Sequence, residues 1–140
     1  MDNKKIKGFT LIELLFTLVI FGILLSIAYP SYLAFLLKSR RSDAMAVLSQ
    51  DQLIFERCYS QNFSYIATCG ALPAFPQISP QGFYSIAISN TGASTYTLTA
   101  TPIGNQVKDT TCASMTVTQA NVKTAADSSG TSQTTCWNPN

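Results

Sequence analysis

The chain has 140 residues and a formal net charge of +2; 46% of the residues are hydrophobic and only 11% are charged. This length is typical of a single domain. Because the sequence has no histidine and only two carboxylates, Asp109 and Asp127, beyond Cys58, it lacks the usual groups of acid–base catalysis, and we expect no enzyme.

The first predicted element is an apolar run from Phe9 to Tyr29, preceded by three lysines among the first seven residues. As a helix, this run is about 31 Å long, which matches the hydrocarbon core of a bilayer. Cations on the N-terminal flank favour a cytoplasmic start and export of the rest of the chain. The run contains one ionisable residue, Glu13. An ionised carboxylate in hydrocarbon costs about 2.5–3.5 kcal/mol, so Glu13 needs a partner.

Cleavage after Gly8 would supply that partner, since it frees an amine on Phe9. Phe9 and Glu13 are four residues apart and share a helix face, and a second copy shifted along the axis could present its amine better still. The alternative is a plain signal anchor with a protonated Glu13, for which an eight-residue leader is unusual. A conventional signal peptide is disfavoured because residues 28–31 form a poor cleavage site.

The helix is predicted to continue to about Cys58. Gly22 and Pro30 weaken it, and Pro30 predicts a kink because it removes a backbone donor. Apolar character ends at Lys38.

Two arginines, Arg40 and Arg41, follow on the side expected to be exported. They are either solvated or in contact with lipid head groups, or they pair with acids of neighbouring copies; the residues do not decide between these alternatives.

Residues 43–58 are amphipathic, with a face that requires a cover. The apolar positions of this face are Ala44, Val47, Leu48, Ile54, Phe55 and Cys58.

After a loop region at residues 59–81, alternation predicts three antiparallel strands, Phe83–Ser89, Thr95–Thr101 and Ala113–Thr118. They form a meander with one Thr-rich wet face and one apolar face that can pack on the helix. The residues expected to point inward are Tyr84, Ile86, Ile88, Tyr96, Leu98, Ala100, Met115 and Val117. Residues 121–140 are polar, and we expect only a disulfide through Cys136 to hold them.

Four cysteines in an exported domain predict two disulfides. A metal site is disfavoured because there is no histidine and no Cys-x-x-Cys spacing, and no cofactor is expected. Three pairings are possible. Cys58–Cys69 and Cys112–Cys136 are favoured, because the first closes a local loop at a helix end and the second ties the tail to a strand.

Residues 7–14, Lys-Gly-Phe-Thr-Leu-Ile-Glu-Leu, resemble the N-terminal signature of type IV prepilins. Downstream, Glu-Arg-Cys-Tyr at 56–59, Tyr-Thr-Leu-Thr-Ala-Thr-Pro at 96–102 and Thr-Cys-Trp at 135–137 resemble the PilE-type minor pilins of Gram-negative bacteria. The resemblance implies the α+β type IV pilin fold. In this fold a long N-terminal helix packs on a small antiparallel meander sheet, and a disulfide closes the C-terminal loop.

The resemblance also implies site residues. A membrane aspartic prepilin peptidase would cut between Gly8 and Phe9 and methylate the Phe9 amine. Phe9, Thr10 and Glu13 would then direct subunit assembly, with Glu13 meeting the Phe9 amine of an adjacent subunit and Thr10 assisting that contact. The region between Gly22 and Pro30 would be a hinge that can unwind in the filament.

The expected parts are a leader peptide at 1–8, a transmembrane and filament-core helix at 9–37, and a periplasmic globular head at 38–140. We expect a structural subunit, by resemblance a minor pilin, of a type IV pilus that supports adhesion, twitching motility or DNA uptake. Its expected partners are other pilin subunits, the prepilin peptidase and the inner-membrane pilus assembly machinery. It would lie in the inner membrane before assembly and in the extracellular pilus afterwards.

Two alternatives remain. One is a DNA- or surface-binding minor pilin; it ranks low for DNA because only Lys108 and Lys123 lie in the head beyond the helix, and six basic and six acidic side chains balance after cleavage. The other is a pseudopilin of type II secretion, but two disulfides with Cys136-Trp137 near the terminus favour the pilus.

Overall fold

The computed structural model describes residues 9–66 and 72–138. Contacts divide the chain into two compact units, one that ends at Phe35 and one that begins at Leu36. We call residues 9–35 the N-terminal unit and residues 36–138 the head unit. The helix and strands are, in chain order, α1 (Leu11–Asn62), β1 (Gln77–Ile78), β2 (Tyr84–Ser89), β3 (Thr97–Pro102), β4 (Ser114–Thr118) and β5 (Lys123–Ala126).

Helix α1 contains 52 residues and remains helical through Gly22 and Pro30. In the N-terminal unit its large apolar side chains are exposed, with Leu18 at 63% and Ile27 at 70%. The helix is long and apolar enough to cross a membrane. An apolar surface of this size needs a cover that the unit itself does not provide.

The head unit contains a five-stranded antiparallel sheet in the order β1-β2-β3-β4-β5. Its three central strands confirm the three predicted strands to within two residues at each end. The alternation is also confirmed. Ile86 lies opposite Ala100 and Leu98 lies opposite Val117, and all four side chains are fully buried.

The two outer strands correct the sequence prediction. β1 lies within the segment expected to be a loop, and β5 lies in the tail expected to be held by a disulfide alone. β5 pairs with β4 along four residues, and the Gln133 amide then donates to the Ala125 carbonyl oxygen at 2.8 Å. The backbone ladder therefore positions the tail as well. The pattern missed β5 because its sequence, Lys-Thr-Ala-Ala, has no large apolar side chain.

The core of the head unit lies between α1 and the sheet, as predicted. Phe55 is 2% exposed and its ring lies 4.7 Å from the ring of Tyr96, with Leu48 buried in the same cluster. Ile54, expected on the same face, is only half-buried.

A disulfide joins Cys112 to Cys136 and closes the C-terminal loop, which confirms that feature of the predicted fold. Beside it, the Trp137 indole nitrogen donates to the Thr124 carbonyl oxygen at 2.8 Å. Cys58 is disulfide-bonded; Cys69, its expected partner, lies outside the described residues.

Candidate functional site

The start of α1 brings two predicted assembly residues together. The backbone amide and the hydroxyl of Thr10 both donate to Glu13 Oε2 at 2.9 Å, and the Glu13 amide donates to Thr10 Oγ1 at 3.3 Å. This reciprocal pair is a capping box, and the Thr-x-x-Glu spacing in the sequence could have revealed it. Phe9 is 83% exposed just before the box, while Gly8 lies outside the described residues.

Other polar groups of the N-terminal unit are satisfied by their own helix. The Thr17 hydroxyl donates to the Leu14 carbonyl oxygen, and the Ser26 hydroxyl donates to that of Ile23, both at 2.7 Å. Such local bonds allow hydroxyls to enter a bilayer at low cost. Glu13, by contrast, is ionisable, and the hydrogen bonds from Thr10 do not supply a compensating positive charge.

In the head unit, Arg41 forms a buried ion pair with Asp109. The guanidinium donates twice to the carboxylate, from Nε at 2.7 Å and from the second terminal nitrogen at 2.8 Å. Neither alternative from the sequence holds for Arg41, because its partner is an acid of its own chain, 68 residues away. Arg40 lies with its guanidinium 4.4 Å from the centre of the Phe83 ring.

Gln106 connects this ion pair to the rest of the head unit. Its side-chain nitrogen lies 2.9 Å from the Leu37 carbonyl oxygen, 3.1 Å from the Tyr84 hydroxyl and 3.3 Å from Asp109 Oδ2. These contacts fix the short 3₁₀ helix Gly104–Lys108 against α1. Burial raises the pKa of Tyr84 to about 12, so this hydroxyl stays protonated throughout the physiological range.

A second acid of α1, Glu56, organises an aromatic cluster. Its Oε1 accepts a hydrogen bond from the hydroxyl of Tyr65 at 2.9 Å and from that of Tyr96 at 3.2 Å. Burial, followed by the nearby Glu56 carboxylate, raises the pKa of Tyr65 to about 12 and raises that of Tyr96 as well. Glu56 is not one of the apolar positions that the sequence pattern identified on this helix, and the pattern gave no sign of this role.

Burial changes the charge that the head unit presents to solvent. Of its six basic and five acidic side chains, four are buried: Arg41, Asp43, Asp51 and Asp109. Five basic groups and two carboxylates thus remain at least partly exposed, an excess of three positive charges. The sequence count for the same unit, six basic against five acidic side chains, gives an excess of only one and underestimates how cationic this surface is.

An open groove of about 410 Å³ lies between α1 and the turn that joins β4 to β5. Six of its seven lining residues have polar side chains, one of them a cation and one an anion: Ser49, Gln52, Leu53, Glu56, Gln119, Asn121 and Lys123. The Lys123 ammonium also lies 5.3 Å from the centre of the Trp137 ring.

Asp127 organises the loop after β5. Its carboxylate accepts hydrogen bonds from the Ser129 amide and hydroxyl, the Thr131 amide and the Gln133 side chain. The Ser129 hydroxyl contributes most to lowering the pKa of Asp127, which falls to about 2. Within residues 9–66 and 72–138, no three His, Cys, Asp or Glu side chains are grouped so as to hold a metal ion.

The sequence profile of a family described as "Type IV minor pilin ComP, DNA uptake sequence receptor" matches residues 30–116, more than half of the chain. The chain belongs to this family of type IV minor pilins. The profile of the "Prokaryotic N-terminal methylation motif" matches residues 3–29 of the same pilin.

Relatives of this pilin carry related names. The "Probable minor fimbrial protein" of Dichelobacter nodosus is 32% identical over 87 residues, which are 62% of this chain and 54% of that protein. The "Fimbrial protein EcpC" of Eikenella corrodens is 29% identical over 110 residues, 76% of this chain and 72% of the relative. The pilin thus spans about half the length of the first relative. A solved type IV pilin from Shewanella oneidensis is 26% identical, with a TM-score of 0.48 over 62% of this chain and 89% of its own.

The family match and the relatives confirm the expected family and role, and the long helix, antiparallel sheet and Cys112–Cys136 disulfide described above confirm the fold class. The protein is a minor type IV pilin, anchored in the membrane by its apolar N-terminal helix before it becomes part of a surface fimbrium. Its family is one of structural pilins rather than of enzymes.

Proposed function

We propose that prepilin peptidase cuts this pilin between Gly8 and Phe9 and methylates the new amine, and that the inner-membrane pilus machinery then assembles it with other pilins. Residues 1–8 are the leader, residues 9–37 the membrane and filament-core helix, and residues 38–140 the periplasmic head. In this role the chain is structural and catalyses no reaction. The match to the methylation motif over residues 3–29 supports the processing step.

The capping box supports the assembly step. Thr10 holds the Glu13 carboxylate at the first turn of α1, where it neighbours the terminus that cleavage creates. In the filament core this carboxylate pairs with the Phe9 amine of an adjacent subunit. The pair neutralises both charges in an apolar environment, where isolated charges are costly. The region between Gly22 and Pro30 serves as the hinge of the filament-core helix.

Glu13→Gln tests this pairing. Glutamine keeps an oxygen that can accept from the Thr10 amide but removes the charge, so the capping box persists while the amine loses its partner. We expect the amount of the Glu13→Gln pilin in sheared pili to fall at least tenfold, which corresponds to about 1.4 kcal/mol. Its amount in the membrane should stay normal. Thr17→Val is the matched control, since it removes a polar group that bonds only within the described helix. Wild-type incorporation of Glu13→Gln would contradict the pairing.

Mass spectrometry tests the processing step separately. The mature chain should begin at Phe9 and carry one methyl group on its amine. Recovery of the lysine-rich leader on assembled subunits would overturn this part of the proposal.

We also propose that the head binds DNA. The family description names a DNA uptake sequence receptor, and its profile covers residues 30–116, which include most of the head. The excess of exposed positive charge supplies the attraction to phosphates that the sequence count did not reveal. Arg57 and Lys123 are exposed, and Lys123 lines the groove that also holds the amides of Gln52, Gln119 and Asn121. Amides beside a cation suit contacts to base edges and phosphates.

Retention of the full-length protein on duplex DNA across a salt series tests this second role. Arg57→Gln combined with Lys123→Gln removes two exposed cations, and we expect the slope of log affinity against log salt to fall by about 1.8. Lys38→Gln combined with Lys108→Gln is the control, with the same change in charge at two other cations that do not line the groove. Equal loss in both double variants would indicate non-specific attraction instead of the proposed contacts.

A further inference from the structure

Two contacts bring together cations that are far apart in the sequence. Gln106 donates to the Leu37 carbonyl oxygen at 2.9 Å, and Arg41 holds Asp109 at 2.7 Å. Lys38 follows Leu37 directly, and Lys108 directly precedes Asp109. The ion pair and the Gln106 bond therefore place Lys38 and Lys108 at the same end of the head unit, although 70 positions separate them.

The acids at this end do not offset those cations at the surface. Asp109 is 4% exposed and bound by Arg41, and Asp43 is 3% exposed and accepts from the Ser79 hydroxyl at 2.5 Å. By contrast, Lys108 is exposed, and Lys38 and Arg40 are partly exposed. Residues 36–43 and 103–109 thus present three cations and no exposed carboxylate. We call Lys38, Arg40 and Lys108 the basic patch.

The exposed surroundings of the basic patch include apolar as well as polar side chains. Val107, beside Lys108, is 59% exposed, and Leu36 and Leu37 are partly exposed before Lys38. Apolar side chains interleaved with cations are the composition of surfaces that lie in the interface of an anionic membrane. The acyl chains of a bilayer offer Val107 a larger apolar surface to pack against than the phosphate-lined exterior of duplex DNA.

Lys38 follows the predicted membrane span closely, since it comes nine positions after Tyr29, where the run that matches the hydrocarbon core ends. A long lysine side chain at such a place can extend its ammonium group towards lipid phosphates. We propose that, before assembly, the basic patch binds the phosphate groups of anionic phospholipids in the periplasmic leaflet. The patch thereby fixes the end of the head unit against the membrane surface, a contact that assembly must break.

Native mass spectrometry of the full-length protein released from detergent micelles tests this. Phosphatidylglycerol and phosphatidylcholine of equal chain length are added, and the lipids retained per protein are counted. We expect preferential retention of phosphatidylglycerol in the wild type. In Lys38→Gln/Lys108→Gln this preference should fall about 30-fold, since each cation near an anionic surface contributes roughly a fivefold preference.

Two matched double variants test whether a lost lipid preference comes from the basic patch itself, and not from the change in total charge or from misfolding. Arg57→Gln/Lys123→Gln, with the same net charge change, should keep the preference. Lys38→Arg/Lys108→Arg should keep it as well. The proposal is wrong if Lys38→Gln/Lys108→Gln retains phosphatidylglycerol like the wild type, or if the wild type retains both lipids equally.

Competition distinguishes the sources of phosphate. Neither inorganic phosphate nor a short DNA duplex, at matched phosphate concentration, should displace phosphatidylglycerol from the wild type. Displacement by the duplex would assign the basic patch to DNA, and displacement by inorganic phosphate would make it a general anion site; either result overturns the lipid proposal.

Discussion

The N-terminal unit exposes its large apolar side chains, whereas the head unit buries those of its core. In the N-terminal unit Phe21 is 63% exposed and Leu25 is 62% exposed, whereas Tyr84 and Leu98 in the head unit are fully buried. The charged groups differ in the same way. Arg41 and Asp109 neutralise each other within the head unit, whereas the proposed partner of Glu13 belongs to another subunit. The head fold is therefore determined by contacts inside one chain, whereas the N-terminal unit requires a membrane or other subunits around it.

The largest expected effect on the stability of the head is the loss of an aromatic ring from its core. Phe55→Ala removes a 2% exposed ring stacked on Tyr96, and should lower the free energy of unfolding of the head by about 3–5 kcal/mol. Phe21→Ala makes the same change in the N-terminal unit and should leave head unfolding unchanged. Denaturant unfolding of the full-length protein, followed by fluorescence of the single tryptophan, measures both. Equal losses of unfolding free energy in the two variants would mean that the stability of the head also depends on the N-terminal unit.

The buried ion pair should give the next largest effect. Arg41→Met leaves the Asp109 carboxylate buried without its cation, and should cost about 3 kcal/mol of unfolding free energy, at the lower end for such pairs because Gln106 still donates to it. Arg41→Met/Asp109→Leu should recover most of that loss. The control, Arg40→Met, removes a cation above the Phe83 ring and should cost about 0.5–1 kcal/mol. No recovery in the double variant would show that the pair contributes more than charge compensation.

The tyrosines bonded to Glu56 should make the head unit sensitive to alkaline pH. The pKa of Tyr65 is raised to about 12, while an unfolded tyrosine ionises near pH 10. The native state therefore holds this proton more tightly, and the free energy of unfolding should fall as pH rises from about 10 to about 12.

Glu56→Gln should lower the pKa of Tyr65 towards 10, though not fully, because burial remains the main cause of the shift. It should also cost about 1 kcal/mol at neutral pH through weaker hydrogen bonds. Ultraviolet titration of tyrosinate measures the first effect and denaturant unfolding the second. Glu13→Gln, the equivalent change in the N-terminal unit, should alter neither.

The smallest effect is local and concerns the loop organised by Asp127. Asp127→Ala should speed amide exchange at Ser129 and Thr131, whose amides lose their acceptor, without changing global unfolding. In the wild type the lowered pKa predicts that protection is complete above about pH 4 and is lost as pH falls through about 2. Ser128→Ala is the control in the same loop. Unchanged exchange in Asp127→Ala would show that the backbone alone defines the loop.

Local periodicity predicted most of this fold. Alternation identified the buried residues of β2, β3 and β4, and the 3-4 spacing identified Val47, Leu48 and Phe55 as the helix face beneath them. These features were predictable because each depends on neighbours in the sequence. β5 was not, since only Ala125 of its four residues is buried and its pairing depends on β4.

The candidate sites show the same division. Phe9, Thr10 and Glu13 form a short motif, and the Thr10–Glu13 contact is a capping box that follows from the local Thr-x-x-Glu spacing. The Arg41–Asp109 pair spans 68 residues, and its formation depends on where the sheet places the 3₁₀ helix. The DNA hypothesis ranked low for the same reason: a count of charges cannot distinguish buried Asp43 and Asp51 from exposed Lys123.

The two outer strands have a consequence for crowding. β1 has two residues and lies between Pro76 and Pro80, and β5 has four residues and is followed by a bridge from Ala126 to Ser132. β1 is a short edge strand flanked by prolines, and the chain's own tail pairs with part of the edge strand β5. Both edges therefore offer few free backbone groups to another sheet. Heads can therefore stand side by side at very high local concentration without fusing into continuous β-structure.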